Sequence, residues 1–191
     1  MKRIHKTRFL FVVIVILTII SLKCKKDDNQ YQYDLFPLKV GNEYYYQHKY
    51  SFDDFVAGYD SIGIEKWTVL TDSKNNNNTE YLIEKKFNGI YVNWSSLQSD
   101  KHRDTTFNIT RTSHFIITEK PSGELLFWDI AFPRFSDKPD TTIHLEFYSM
   151  DYNKSYFFKA DLGLTSYYNN WGLMSHRIRE SLIQDSVKIS R

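Results

Sequence analysis

Residues Asn42 to Tyr50 read NEYYYQHKY. Tyr44, Tyr46, His48 and Tyr50 occupy every second position, with Glu43, Tyr45, Gln47 and Lys49 between them. Successive side chains of an extended chain point to opposite faces, so one face of this segment is largely aromatic and the other largely polar. That is the pattern of a strand resting on a core with its back to water, and it predicts a β fold.

The same reading extends toward the C-terminus. SIGIEKWTVL, from Ser61, is a second strand, followed by a turn or loop in the asparagine run Asn75 to Asn78. EYLIEKKF and IYVNW flank Asn88-Gly89, a dipeptide that tolerates positive φ and predicts a type I′ hairpin turn. TTFNITRT and HFIITE are further strands, KPSG before ELLFWDI is a turn, and AFPRFSDKPD is an irregular loop. TTIHLEFYSM, KSYFFKA and GLTSYY follow, and the last segment, LMSHRIRESLIQDSVKI, reads as a strand. About eight to ten antiparallel strands with no intervening helices predict a single all-β domain over residues 36–191, a curled sheet or open barrel.

Composition agrees. The chain has 14 Tyr, 14 Phe and 4 Trp against 7 Gly and 4 Pro, and Ala57, Ala131 and Ala160 are its only alanines. Aromatic residues favour strands and alanine favours helices, so a helical domain would not look like this.

The N-terminus has a different character. Lys2, Arg3, Lys6 and Arg8 precede an apolar run from Phe9 to Leu22 broken only by Thr18 and Ser21. A helix crossing a bilayer needs about 20 apolar residues, so fourteen fit the hydrophobic part of an export signal better. Cys24, the only cysteine, follows directly. It has no partner for an intrachain disulfide, and thiolate metal sites use several cysteines. The segment resembles bacterial lipoprotein precursors, in which cleavage occurs just before a cysteine that is then acylated. That resemblance makes residues 1–23 a signal peptide and Cys24 the lipidated first mature residue. Lys23 departs from the small residue usual before that cysteine. KKDDNQYQYD behind it completes a polar tether over residues 24–35, and CKKDD resembles the signal that sends Bacteroidetes lipoproteins to the outer face of the outer membrane.

Loss of residues 1–23 removes five Lys and Arg and no acid, which turns a net charge of +2 into −3. A basic stripe with interleaved aromatics is absent from the mature part, so nucleic acid is not an expected partner.

Two stretches together resemble a set of Bacteroidetes lipoproteins with no assigned activity. LFPLKVGNEYYYQ, Leu35 to Gln47, is similar to their Pro-Leu-x-Val-Gly-Asn opening after the lipidated cysteine. YFFKADLGLTSYYNNWG, Tyr156 to Gly172, is similar to their closing pattern. The resemblance implies a curled antiparallel sheet and an envelope location, and brings no catalytic residues. Read physically, Pro37 restrains the chain leaving the tether and Gly41-Asn42 forms the turn into the first strand.

Chemical motifs are sparse. Gly-x-Ser-x-Gly, phosphate-cradling glycine loops and calcium loops do not occur. His48, His102, His114, His144 and His176 lack metal-site spacing, and the acids Asp53, Asp54 and Asp104 form no recognisable pair. An enzyme reading would require acids, or histidine with acid, converging in a cleft. The expected function is therefore a non-catalytic binding or assembly module, with no cofactor or metal, held to the membrane through its lipid and meeting a glycan or an envelope protein. One alternative is a glycan-binding accessory protein of a surface uptake system, with Trp67, Trp94, Trp128 and Trp171 as stacking residues; their plainer role is core filling. Another is a carrier holding a lipid or acyl chain in an apolar cavity. Triplets at Asp60, Asp104, Asp140 and Asp185 resemble Asp-Ser/Thr O-glycosylation sites.

Overall fold

The computed structural model describes residues 32–54, 57–95, 102–173 and 176–190, with the side chains of residues 94, 95, 102–105, 173 and 176 excepted. Residues 1–23, expected to be a signal peptide, Cys24 and most of the expected tether lie outside them.

The folded unit is all-β, a ten-stranded antiparallel sheet curled into a half-barrel together with a two-stranded sheet. In chain order the strands are β1 (Tyr33–Asp34), β2 (Glu43–Asp53), β3 (Ala57–Asn75), β4 (Asn78–Ser95), β5 (His102–Glu119) and β6 (Glu124–Phe127). They continue with β7 (Ile130–Pro133), β8 (Phe135–Ser136), β9 (Thr142–Tyr148), β10 (Tyr152–Lys159), β11 (Gly163–Leu173) and β12 (His176–Lys188). The large sheet has the order β7-β6-β5-β4-β3-β2-β12-β11-β10-β9, so two meanders meet where the last strand pairs the first long one. β1 pairs with β8, so Tyr33 to Leu35, which the sequence reads as the end of the tether, belong to the fold.

The 42–50 segment forms β2 in the expected phase. Tyr44, Tyr46 and His48 are buried, and face Trp67, Glu65 and Gly63 across β3. This side is the concave face of the sheet. At one end of it lies a dry core, in which Phe36 packs edge-on against Tyr44 at 5.2 Å and Phe127 at 5.7 Å. Leu35, Phe36 and Leu38 are each at most 3% exposed, so the segment before β2 is a plug seated in the half-barrel.

The two stretches that carry the family resemblance meet at this plug. Gly41 has φ of +88° in the turn closed by Asn42 N–H donating to the Lys39 carbonyl at 2.9 Å. Asn42 is fully buried; its Nδ2 donates to the Pro37 carbonyl at 2.6 Å and its Oδ1 accepts from Ser190 N–H at 2.8 Å, which ties the first turn to the chain's end. Gly163, with φ of +81°, lies so near the plug that a Cβ there would come within 2.6 Å of the Phe36 ring.

One local expectation is corrected. Asn88-Gly89 is not a hairpin turn but the middle of the unbroken strand β4. Gly89 stands opposite Gly63 of β3, and a Cβ on either would collide with the facing backbone. The glycines are there for close approach of two strands where the sheet curls, and Gly89 does not have positive φ. The tight turn is instead at Asn76 and Asn77, whose φ values of +47° and +70° are those of a type I′ turn joining β3 to β4. TTFNITRT and HFIITE, expected as two strands, likewise form one, β5, and the 131–140 stretch expected as an irregular loop contains the end of β7 and all of β8. The last segment is strand β12, as its pattern predicts.

Candidate ligand-binding cavity

Beyond the plugged core, the concave face holds a cavity of about 600 Å³ lined by residues of β2, β3, β4, β5 and β12. Its position follows from the phase of each strand. Moving along β3, the inward positions change from Val69 and Trp67, both within the core, to Glu65, Gly63 and Ser61. Large apolar side chains give way to small and charged ones, and space opens.

The floor is a set of charges. Glu65 is fully buried; its Oε1 accepts from Trp67 Nε1 at 2.7 Å and faces Lys85 Nζ at 3.2 Å, while its Oε2 lies 2.9 Å from His48 Nδ1. On the far side of the imidazole, His48 Nε2 is 3.3 Å from Glu180 Oε1. Neither carboxylate lies along the N–H direction of the ring, so the His48 contacts are ion pairs more than hydrogen bonds. Phe87 packs edge-on against His48 at 5.3 Å.

Burying ions costs several kcal/mol each unless partners repay it, and here they do. Burial raises the Glu65 pKa, but His48, Lys85 and the Trp67 donor outweigh it and hold the group below its ordinary value, ionised. For His48, burial disfavours the imidazolium, yet Glu180 and Glu65 outweigh that and lift the pKa above 6.5.

The walls are aromatic. Tyr50 of β2 and Tyr59 of β3 line the cavity, stacked at 5.6 Å, and the row continues beyond its lining to Tyr91 of β4, 4.8 Å from Tyr59, and Phe107 of β5, 4.9 Å from Tyr91. These rings make a ladder across four neighbouring strands. Arg111 of β5 reaches the cavity from an exposed position, and among the described residues no carboxylate pairs with it.

The charged floor can hold and orient the polar groups of a ligand. Histidine and acids do converge in a cleft, the condition set for an enzyme. However, each nitrogen of His48 faces its own carboxylate, and among the described residues no serine, threonine or cysteine side chain hydrogen bonds to it. The two flanking carboxylates favour the protonated form of His48, and in that form the ring can neither accept a proton nor ligate a metal. No group of three metal-ligating side chains occurs among the described residues.

The four tryptophans fall in different places. Trp67 is fully buried in the core, one inward position from Glu65, and its ring cannot reach a ligand. Trp128 is 41% exposed at the tip of the β6–β7 hairpin, held at φ of +51° and stacked on Phe127 at 4.3 Å. Its other neighbours include Trp67 and Phe115, so it borders the core and does not line the cavity. Trp171 is partly buried on the concave face of β11, opposite Ile178. The side chain of Trp94 lies outside those described. Among the described residues the ladder is formed by half-buried Tyr50, Tyr59 and Tyr91 with exposed Phe107.

His48 and Tyr50 were visible in the sequence as part of the aromatic face of β2. Glu65, Lys85, Arg111 and Glu180 were not singled out, although an acid two residues before a tryptophan in an otherwise apolar strand is a usable signal for Glu65. Asp54 has a local role, its Oδ1 accepting from Ala57 N–H at 2.7 Å. Among the O-glycosylation triplets, Ser61 is only 4% exposed, and the Thr141 hydroxyl is engaged with Lys138 and Ser136. Compared with known proteins, the chain matches no family model, and no curated protein and no solved structure is significantly similar to it.

Proposed function

We propose that this protein is a ligand-binding lipoprotein of the bacterial outer membrane, anchored through acylated Cys24 and acting without catalysis, and that its binding site is the cavity of the half-barrel. The observation that carries the binding reading is the cavity itself: about 600 Å³, with the stacked rings of Tyr50 and Tyr59 on its wall and mutually paired charged groups on its floor. Its volume is in the range of small-molecule sites, roughly 300–1,000 Å³. The anchor reading rests on residues 1–24 and their resemblance to lipoprotein precursors.

Of the ligand classes weighed from the sequence, a glycan suits these walls best. Tyrosine edges and hydroxyls, Ser61 and Glu180 offer partners to a hydroxylated ring, and the rings of the ladder offer apolar contact to its C–H groups. An acyl chain would have to lie on Glu65, His48 and Lys85 and leave them without water, a costly placement.

The test is a thermal-shift screen of the full chain in detergent against neutral and acidic mono- and oligosaccharides, repeated with Tyr59→Ala. The expected result is at least one sugar that raises the melting temperature of the wild type and not of the variant. No response to any sugar, or equal responses in both proteins, would contradict the cavity as a glycan site.

A further inference from the structure

The cavity's charges do not balance. Below the raised pKa of His48, three cationic groups, His48, Lys85 and Arg111, face two carboxylates, Glu65 and Glu180. The surplus sits in a defined place. His48 is enclosed by Glu65 and Glu180, and Lys85 by Glu65, whereas Arg111 stands exposed with no carboxylate partner among the described residues.

Register fixes where that guanidinium stands. Arg111 is directly opposite Phe87 across β4 and β5, and Ser113 is opposite Lys85, so the two cations are diagonal neighbours on the inward face. Burial raises the pKa of Tyr50 and of Tyr91, and Arg111 is near enough to each to oppose that rise electrostatically. A planar guanidinium beside an ammonium is suited to a carboxylate, which it can grip with two parallel N–H donors. One net positive charge calls for one negative charge on the ligand.

We infer that the cavity binds a monoanionic sugar, a uronate, with its carboxylate between Arg111 and Lys85 and its ring against Tyr50 and Tyr59. The sugar hydroxyls reach Glu180 and the tyrosine hydroxyls. A phosphorylated ligand is disfavoured because its second charge finds no further unpaired cation among the cavity's side chains. This assignment rests on the reading of the cavity as a glycan site and adds the ligand's charge and the residue that selects it.

The experiment is isothermal titration of the full chain in detergent at pH 6 with a glucuronate-terminated disaccharide and with the neutral disaccharide of the same linkage. The wild type is expected to bind the uronate about tenfold or more tightly than the neutral sugar, the gain of one charge-assisted bidentate contact. Arg111→Gln should abolish that preference, read as the ratio of the two sugars' affinities within the same variant. Arg111→Lys, which keeps the charge and loses the fork, should restore part of it. Equal affinities for the two sugars in the wild type, or a preference that survives in Arg111→Gln, would overturn the assignment of charge while leaving a sugar site in place. Binding of neither disaccharide would overturn the uronate assignment itself, and the wider glycan reading would then be decided by the broader screen.

Discussion

Glu65 shows how much one residue carries. Its carboxylate is fully buried, and its partners come from three strands: Trp67 on its own strand, His48 on β2 and Lys85 on β4. Glu65→Gln removes the charge and leaves two cations facing a neutral amide. Breaking a buried ion pair from one side costs about 3–5 kcal/mol, so urea unfolding should show a loss near the lower end of that range, since the amide can still accept from Trp67. The pH dependence follows from the two shifted groups. The lowered pKa of Glu65 contributes stability that is present above about pH 4.5 and is lost as pH falls through its folded value. The raised pKa of His48 contributes stability that is full below pH 6.5 and is lost as pH rises through its folded value. Melting temperature against pH should therefore peak between the two, and His48→Gln should flatten the alkaline side selectively. An unchanged alkaline limb in that variant would mean that His48 is not protonated in the folded protein.

At the scale of elements, the plug and the strand phases explain what the sequence showed and what it hid. The alternation in β2 was legible because every inward residue from Tyr44 to Tyr50 is aromatic or His48. β3 was harder to read, because its inward face changes character midway. Ile62 and Ile64 point outward at 45% and 43% exposure, while Ser61, Gly63 and Glu65 point inward and Trp67 and Val69 enter the core. Alternation alone cannot reveal a strand that lines a core at one end and a polar cavity at the other. Asn88-Gly89 misled for a related reason: the dipeptide marks positive φ in a turn and close approach in a strand, and only the facing Gly63 distinguishes them. The cavity's ions lie far apart in sequence, His48, Glu65, Lys85 and Glu180, so their convergence is a product of strand order. The plug permits two checks. Phe36→Ala should cost about 3–5 kcal/mol in unfolding free energy, as removal of a buried aromatic side chain does. Gly163→Ala should cost more than Gly123→Ala, although φ is near +80° at both, because a Cβ at 163 meets the Phe36 ring and one at 123 meets nothing within 4 Å. The strain common to the pair is about 1 kcal/mol, so the excess in parallel melts measures the plug contact.

For the whole molecule, a half-barrel closed at one end by its own N-terminal segment leaves the other end of the concave face for a ligand. Leu35, the first residue of the plug, follows Cys24 by eleven residues, so the anchor we propose would be joined to the proposed site through a short stretch of chain. Cys24→Ala should shift the protein from the membrane fraction to the soluble fraction without changing the melting temperature of the folded domain; retention in the membrane would contradict lipidation as the anchor. The most direct test of the cavity as the binding site is native mass spectrometry of the chain released from its own membranes, wild type beside Ser61→Trp, whose indole would fill the cavity. The expected result is a small-molecule adduct on the wild type that is missing from the variant. An adduct retained by a folded Ser61→Trp protein, or a wild type that never carries one even with sugars added, would contradict the assignment of the cavity as the site.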